Sequence, residues 1–187
     1  MPPTKDIQTF ARRVALEALR VDEGAKYGAP AKIGFAIKQG DVIGIITASG
    51  KARRRSRTAA AGTGFAINSP TGQVDDSSVF VHGDVLTLED GTVIGTVDTI
   101  DATLNPNIVT LTGNAAVAVA DDDAVMASDG SQVAQGISDD ATDGADDNTS
   151  IGVFIDGFLV EALCRGLDAS AKEELNGASV IGGIFKF

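Results

Sequence analysis

The chain has 187 residues, a net charge of −11, one cysteine and one histidine. A single cysteine excludes an intrachain disulfide and any zinc site built on cysteines, so we expect Cys164 to pack as a small apolar side chain. The 22 glycines and an aromatic content of only 5% favour short strands and tight turns over long helices. The composition therefore predicts a mainly β protein with a minor α part, an α+β fold.

Charge is distributed unevenly along the chain. Residues 1–57 contain 12 of the 15 Lys and Arg against 5 acidic residues, a net charge of +7, whereas residues 58–187 contain 3 basic residues against 21 acidic ones, a net charge of −18. A basic N-terminal part favours contact with an acidic surface, and an acidic remainder repels nucleic acid. No apolar run resembles a signal peptide or a membrane span. We expect neither nucleic acid nor a membrane as a partner, and synthesis in a cytoplasm.

The first predicted element is an amphipathic helix over residues 4–20. Helical spacing places Phe10 and Val14 on one apolar face, and Arg12 and Arg13 lie between them in the sequence,. Such a helix suits docking on a neighbouring molecule as well as packing on its own domain, and the sequence leaves both readings open.

Short runs of Val, Ile and Thr then predict strands within residues 31–66. Among them lies KARRRSR, residues 51–57, the most basic stretch of the chain. Arginine binds phosphates, but nucleic-acid readers usually add stacking aromatic residues, and this run has none. We predict an exposed hairpin that contacts an acidic protein surface, with a plain solvated turn as the alternative. Its basic residues are Lys51, Arg53, Arg54, Arg55 and Arg57.

The sequence pattern of residues 67–124 predicts a separate β module. Asp90-Gly91 predicts a hairpin turn and Asn105-Pro106-Asn107 a second turn, each between runs of β-branched residues,. A small β-barrel or a meander of three to four strands is the expected result.

An acidic stretch rich in Gly, Ser and Thr follows over residues 121–149, and its composition predicts a surface loop. Asp139, Asp143 and Gly144 fit three positions of a calcium-binding EF-hand loop, but Ala141 and Ser150 stand where two further ligands belong,. We therefore favour a solvated loop and predict no metal, with a looser calcium site left open.

The C-terminal part carries the clearest local signals. Asp156-Gly157 separates two apolar runs and predicts a hairpin,. Ser170 and Glu173 fit a capping box at the start of a helix, and Asn176-Gly177 predicts its end,. The last ten residues, ASVIGGIFKF, predict a strand.

His82 is the only candidate for acid–base catalysis in the sequence. Ser77, Ser78 and Asp84 are near it along the chain, but strand alternation does not assemble them into a triad,. No phosphate loop or dinucleotide fingerprint is present. We expect no enzyme activity and no cofactor.

The C-terminal segments together resemble the lambda-type head decoration proteins of tailed viruses. They are ASDGSQVAQGI, an acidic loop, SIGVFIDGFLVEAL, DASAKEELNG and ASVIGGIFKF; the earlier GDVIGIITASGKARRRSR resembles the opening strands of that family. The resemblance implies a β-sandwich or β-tulip domain formed by residues 31–66 and 125–187. The module over 67–124 would be an insertion, and residues 1–30 an N-terminal helix and arm.

For function, the resemblance implies a cement protein that binds the outer surface of an icosahedral head. It would assemble as a homotrimer at the three-fold positions, contact the major capsid protein through its N-terminal segment and stabilise the shell in the virion. The residues predicted to contact the capsid are Phe10, Arg12, Arg13, Val14, Lys51, Arg53, Arg54, Arg55 and Arg57.

Two alternatives come from other functional classes. The chain could be a head fibre or a host-surface-binding module, in which the insertion over 67–124 binds a host glycan or protein. It could also be a hydrolytic or metal-dependent enzyme that uses His82, an interpretation that the absence of enzyme signatures disfavours.

Overall fold

A computed structural model describes residues 26–31, 35–145, 149–155, 157–158, 160–177 and 185–186. The predicted helix over 4–20 lies outside these residues. The chain divides into two compact units. The discontinuous unit comprises Met1–Ile43 and Ala134–Phe187, and the barrel unit comprises Gly44–Val133.

The described residues are mainly in β-strands, which confirms the predicted β-rich class. The strands are β1 (Lys26–Pro30), β2 (Val42–Ile45), β3 (Ala52–Arg54), β4 (Arg57–Phe65), β5 (Thr71–Val74), β6 (Val85–Thr87), β7 (Val93–Asp101), β8 (Asn107–Leu111), β9 (Ala124–Ala127), β10 (Gly136–Ser138), β11 (Ser150–Phe154), β12 (Gly157–Phe158) and β13 (Phe185–Lys186). Helix α1 spans Ala169–Gly177, and two short 3₁₀ turns span Ser77–Val79 and Glu161–Leu163. No helix in the described part of the chain has the length and apolarity that crossing a bilayer requires.

The barrel unit is built on a closed barrel in the order β4-β5-β8-β7-β6-β9. Every neighbouring pair is antiparallel, and closure leaves no free edge to pair with another chain. Alternate side chains point inward and form an apolar core that includes Phe65, Phe80, Leu86, Val97 and Val109. The core is the main source of stability for this unit, because burial of apolar surface dominates folding.

Local turn chemistry explains the hairpin that joins β6 to β7. Leu88 N donates to Thr92 O across 2.9 Å, and Asp90 Oδ1 accepts from Thr92 N across 2.8 Å. The predicted turn at Asp90-Gly91 is confirmed. Asn107, in the second predicted turn, donates through Nδ2 to Leu104 O at the β7–β8 connection.

The barrel unit extends beyond the insertion predicted at 67–124. It begins at Gly44 and ends at Val133 because β4 and β9 belong to the barrel. Arg57 pairs with Met126, and Ala60 pairs with Val74. The two compact units meet in the sequence at Ile43–Gly44 and Val133–Ala134, whereas the sequence predicts domain limits at residues 66–67 and 124–125.

The discontinuous unit contains the sheet neighbours β1, β11, β10 and β2, in that order. Strand β2 spans the division at Ile43–Gly44. The apolar core of the discontinuous unit packs one face of α1 against the strands; it consists of Val42, Ala134, Ile137, Phe154, Ala171 and Leu175.

Helix α1 is capped differently from the prediction. Asp168 Oδ1 accepts from Ala171 N across 2.6 Å, so Asp168 is the N-cap residue. Ser170 already lies inside the helix, where its hydroxyl donates to Glu174. The capping box of Ser170 and Glu173 is therefore wrong by two residues, whereas the helix ends at Gly177 as predicted.

Asp156, the first residue of the hairpin turn predicted at Asp156-Gly157, lies outside the described residues. Among the described residues, β11 pairs with β1 and β10, whereas β12 pairs in parallel with β13. The final strand is thus present at Phe185–Lys186, and its partner is the short strand Gly157–Phe158.

Candidate functional site

The basic run 51–57 lies in the barrel unit, and its central residue is inside the protein. The side chain of Arg53 is 1% exposed. Its guanidinium forms a two-bond fork with Asp84: Nη1 donates to Oδ1 across 3.0 Å and Nη2 to Oδ2 across 2.8 Å. Such paired bonds combine charge with fixed geometry and are among the strongest hydrogen bonds in proteins.

Arg53 also donates to two further acceptors. Nη1 also donates to Asp129 Oδ2 across 2.9 Å, and Nη2 donates to the carbonyl of Val79 across 2.5 Å. The carboxylates are themselves held in place, because Asp84 accepts from Val81 N and Asp129 accepts from Ser131 N, both across 2.9 Å. The result is a fixed, charge-compensated centre, not a group free to bind a partner.

Arg55 is buried as well, at 4% exposure. Its Nε donates to the carbonyl of Gln132 across 2.9 Å. Because side chains alternate along an extended chain, Arg53 and Arg55 point to the same side, and that side faces the protein interior. The prediction of an exposed basic hairpin is wrong for these two residues.

The remaining basic side chains of the run are half-buried. Arg54 Nη2 donates to Asp76 Oδ2 across 2.9 Å, and Arg57 Nη2 donates to Glu89 Oε1 across 3.0 Å. Burial raises the pKa of Asp76, but hydrogen bonds from Ser78 and the charge of Arg54 outweigh it, so the pKa lies below its usual value. These arginines are therefore bound to acids of their own unit.

The charge division seen along the sequence does not persist in the barrel unit. This unit has 5 basic and 11 acidic residues, a net charge of −6. Its basic side chains are all buried or half-buried, whereas seven of its acidic residues are exposed. They are Asp75, Glu89, Asp90, Asp98, Asp121, Asp122 and Asp123. The barrel unit therefore presents an acidic surface.

His82 is exposed on the barrel unit. Its Nδ1 lies 2.9 Å from the carbonyl oxygen of Asp98 and 3.7 Å from Asp98 Oδ1. The hydroxyls nearest to it in sequence bind elsewhere, since Ser77 donates to Asn107 and Ser78 to Asp76. The structure brings no nucleophile to His82 within the described residues.

The acidic loop does not assemble an EF-hand. Asp139 is buried whereas Asp143 is exposed and accepts from Ala145 N across 2.9 Å. Gly144 has a different reason to be glycine: φ is +73°, and a Cβ there would lie 2.5 Å from the carbonyl oxygen of Phe35. Among the described residues, no group of three or more His, Cys, Asp or Glu could hold a metal ion.

Cys164 is half-buried, and its Sγ lies 3.6 Å from the carbonyl oxygen of Val160. Burial, together with the charge of Glu161, raises the pKa of the thiol to about 11. The thiol is therefore protonated at neutral pH, a state in which a cysteine is a poor nucleophile.

The residues predicted to contact a capsid fall into three groups. Four lie outside the described residues: Phe10, Arg12, Arg13 and Val14. Arg53 and Arg55 are buried, and Lys51, Arg54 and Arg57 are half-buried. The sequence analysis did not identify the acceptors Asp84 and Asp129.

Comparisons with protein-family models, curated proteins and solved structures find no match for the chain.

Proposed function

We propose that the chain is a viral capsid decoration protein, a non-enzymatic cement protein of the outer surface of an icosahedral head. The observation that carries the proposal is the order of elements toward the C-terminus. Strands β10, β11 and β12 are followed by helix α1 and strand β13. The resemblance to lambda-type decoration proteins implies a hairpin, then a short helix and a last strand.

The packing of α1 supports a structural role for this segment. Glu174 Oε2 accepts from the backbone N of Ala134 across 2.6 Å, and Ala171 and Leu175 are fully buried in the apolar core. These contacts fix the helix to the strands of the discontinuous unit. A rigid unit is what a cement protein needs, because a flexible one would lose entropy on binding.

Binding as a homotrimer gives a physical reason for stabilisation. Three equivalent copies that engage three equivalent sites gain affinity through effective concentration, without strong individual contacts. The major capsid protein is the proposed partner, and Arg12 and Arg13 are the proposed basic contacts. Arg53 and Arg55 are not proposed as contacts, because they are buried and bound within the barrel unit.

The test is a measurement of mass and binding on the full chain. Light scattering gives the mass in solution, and co-sedimentation with expanded empty heads of the virus that encodes the chain gives the bound amount. The proposal expects a trimer and saturable binding in a fixed ratio to the capsid protein. A chain that remains in the supernatant at all concentrations would contradict it.

A charge-reversal pair sharpens the test. Arg12→Glu with Arg13→Glu is expected to reduce capsid affinity at least tenfold, because two favourable charge contacts become repulsive. Lys38→Glu, an exposed position in the discontinuous unit, is the control and is expected to bind like the unaltered chain. Equal binding by both variants would assign the contact to another surface.

A further inference from the structure

An open depression of about 210 Å³ lies on the barrel unit, on strands β4, β5 and β8 and the β4–β5 connection. Its polar lining consists of the side chains of Thr63, Ser69, Thr71 and Gln73, and Ile108 contributes an apolar side chain. None of the residues that line it is charged, although the unit has a net charge of −6. The depression is thus a neutral, hydroxyl-rich patch on an acidic surface.

Gln73 is held in one orientation. Its Oε1 accepts from both the backbone N and the hydroxyl of Thr63, across 3.0 and 3.1 Å. Because both bonds use the oxygen, they fix the amide plane and leave the NH₂ group at the opposite end to donate. A side chain that is already ordered loses less entropy when it binds a ligand.

Ser69 and Thr71 provide a second ordered polar group. Ser69 Oγ donates to Thr71 O across 3.0 Å and accepts from Thr71 N across 3.2 Å, and the two hydroxyl oxygens are 3.4 Å apart. A hydroxyl has one donor and two acceptor positions. Because Ser69 Oγ uses its one hydrogen on Thr71 O, the Thr71 hydroxyl is the donor in the contact between the two hydroxyls, and it keeps an acceptor position for a ligand. Thr71 is exposed and Ile108 is half-buried, so both are accessible from solvent.

We infer that this depression binds a neutral saccharide through a single sugar ring. The hydroxyls of a sugar both donate and accept, which matches the Gln73 amide and the Thr71 hydroxyl, and a sugar C–H face suits Ile108. The volume is below the roughly 300–1,000 Å³ of pockets for drug-sized ligands, which restricts the fit to one ring. An anionic ligand meets no cation in the lining, and a cationic ligand meets no carboxylate.

The inference goes beyond capsid binding and is tested without capsids. The full chain, labelled with ¹⁵N, is titrated with glucose, galactose, mannose and N-acetylglucosamine, and amide shifts are followed by NMR. At least one sugar is expected to saturate the amides of Thr63 and Gln73 with a Kd on the order of 1 mM, as small ligands allow. The absence of saturable shifts with all four sugars would overturn the inference.

Two variants test whether the sugar binds specifically in the depression or weakly and non-specifically elsewhere on the surface. Gln73→Leu is expected to weaken binding about tenfold, since a hydrogen-bonding amide is lost, and Thr71→Val to weaken it by a similar factor. Gln39→Leu, a half-buried glutamine of the discontinuous unit, is the control and is expected to leave the Kd unchanged. Unchanged binding in a folded Thr71→Val variant, or tighter binding of sialic acid than of neutral sugars, would contradict the inference.

Discussion

Arg53 and Asp84 are 31 residues apart in the sequence and form a buried two-bond ion pair in the barrel unit. The Arg53 side chain is 1% exposed and that of Asp84 is 10% exposed. Removing two charges from water costs several kcal/mol per ion, and the pair offsets this only while both partners and their hydrogen bonds are present. Loss of either partner is therefore expected to lower the free energy of unfolding of the barrel unit.

Arg53→Met is expected to destabilise the barrel unit by about 3–5 kcal/mol, because it leaves Asp84 buried without its guanidinium. Arg54→Met is the matched control. It breaks a pair whose side chains are 22% and 42% exposed, so its cost is expected to be about 0–1 kcal/mol. Urea unfolding, with hydrogen exchange of the barrel amides as a local readout, measures both.

A double variant tests whether the charge is responsible. Arg53→Met with Asp84→Leu removes both ends of the fork and is expected to recover part of the stability that Arg53→Met alone loses. Asp129 remains, and its side chain is 27% exposed, so water can solvate it. Equal losses for Arg53→Met and Arg54→Met would show that burial of the fork has no energetic consequence.

The Arg53–Asp84 pair also shows which property of the chain could not be predicted from its sequence. The run 51–57 is basic in sequence, and exposure was the natural prediction because arginine is almost never buried without a partner. Its partners Asp84 and Asp129 lie 31 and 76 residues further along. Only the tertiary fold brings them together, and no local pattern encodes that distance.

Local signals were reliable where the responsible contacts are local. The Asp90-Gly91 turn depends on bonds within residues 88–92, and its prediction is confirmed. Strand β12, which follows the turn predicted at Asp156-Gly157, pairs with β13, a contact from the far end of the chain that no local signal encodes. The β-rich class was predictable from composition, whereas the barrel boundaries required pairings such as Arg57 with Met126.

Substitutions at Gly64 and Gly50 allow two energetic costs of adding a side chain to be compared, the cost of a left-handed backbone and the cost of a steric clash. Both have positive φ, +57° and +67°, but a Cβ at Gly64 would lie 2.0 Å from the carbonyl oxygen of Val119, whereas one at Gly50 meets nothing within 4 Å. Gly50→Ala is expected to cost about 1–2 kcal/mol for the left-handed conformation. Gly64→Ala adds a steric clash and is expected to cost about 2–5 kcal/mol in total. Equal midpoints in urea would contradict the close approach.

The N-cap of α1 is Asp168 in the structure, whereas the sequence predicts a capping box of Ser170 and Glu173, and substitutions can distinguish the two. Asp168→Ala removes the acceptor for Ala171 N and is expected to cost about 1 kcal/mol. Glu173→Ala is the control: Glu173 is exposed and is expected to change stability by less than about 0.5 kcal/mol. Thermal unfolding compares the two, and a larger loss for Glu173→Ala would restore the capping box.

Asp101 has a carboxylate with a lowered pKa. The Thr103 hydroxyl and then the Thr103 backbone N donate to its Oδ1, across 2.6 and 2.9 Å, and both bonds lower the pKa. A group with a lowered folded-state pKa stabilises the fold above its unfolded pKa, and this contribution disappears as the pH falls through the folded pKa. Thr103→Val is expected to raise the pKa of Asp101, measured by ¹³C carboxyl NMR titration. Asp90, whose pKa is lowered by bonds from Thr92, is the internal control and is expected to stay unchanged.

Cys164 provides a chemical readout of the discontinuous unit. Burial and the Glu161 charge raise the pKa of the thiol to about 11, so at pH 8 only about one thiol in a thousand is ionised, given tenfold per pH unit. We expect Ellman's reagent to react far more slowly with the folded chain than with the chain in urea. Glu161→Gln removes the smaller of the two causes and is expected to accelerate the reaction modestly, because burial remains. A folded chain that reacts as fast as the unfolded one would show that the thiol is neither protected nor shifted in pKa.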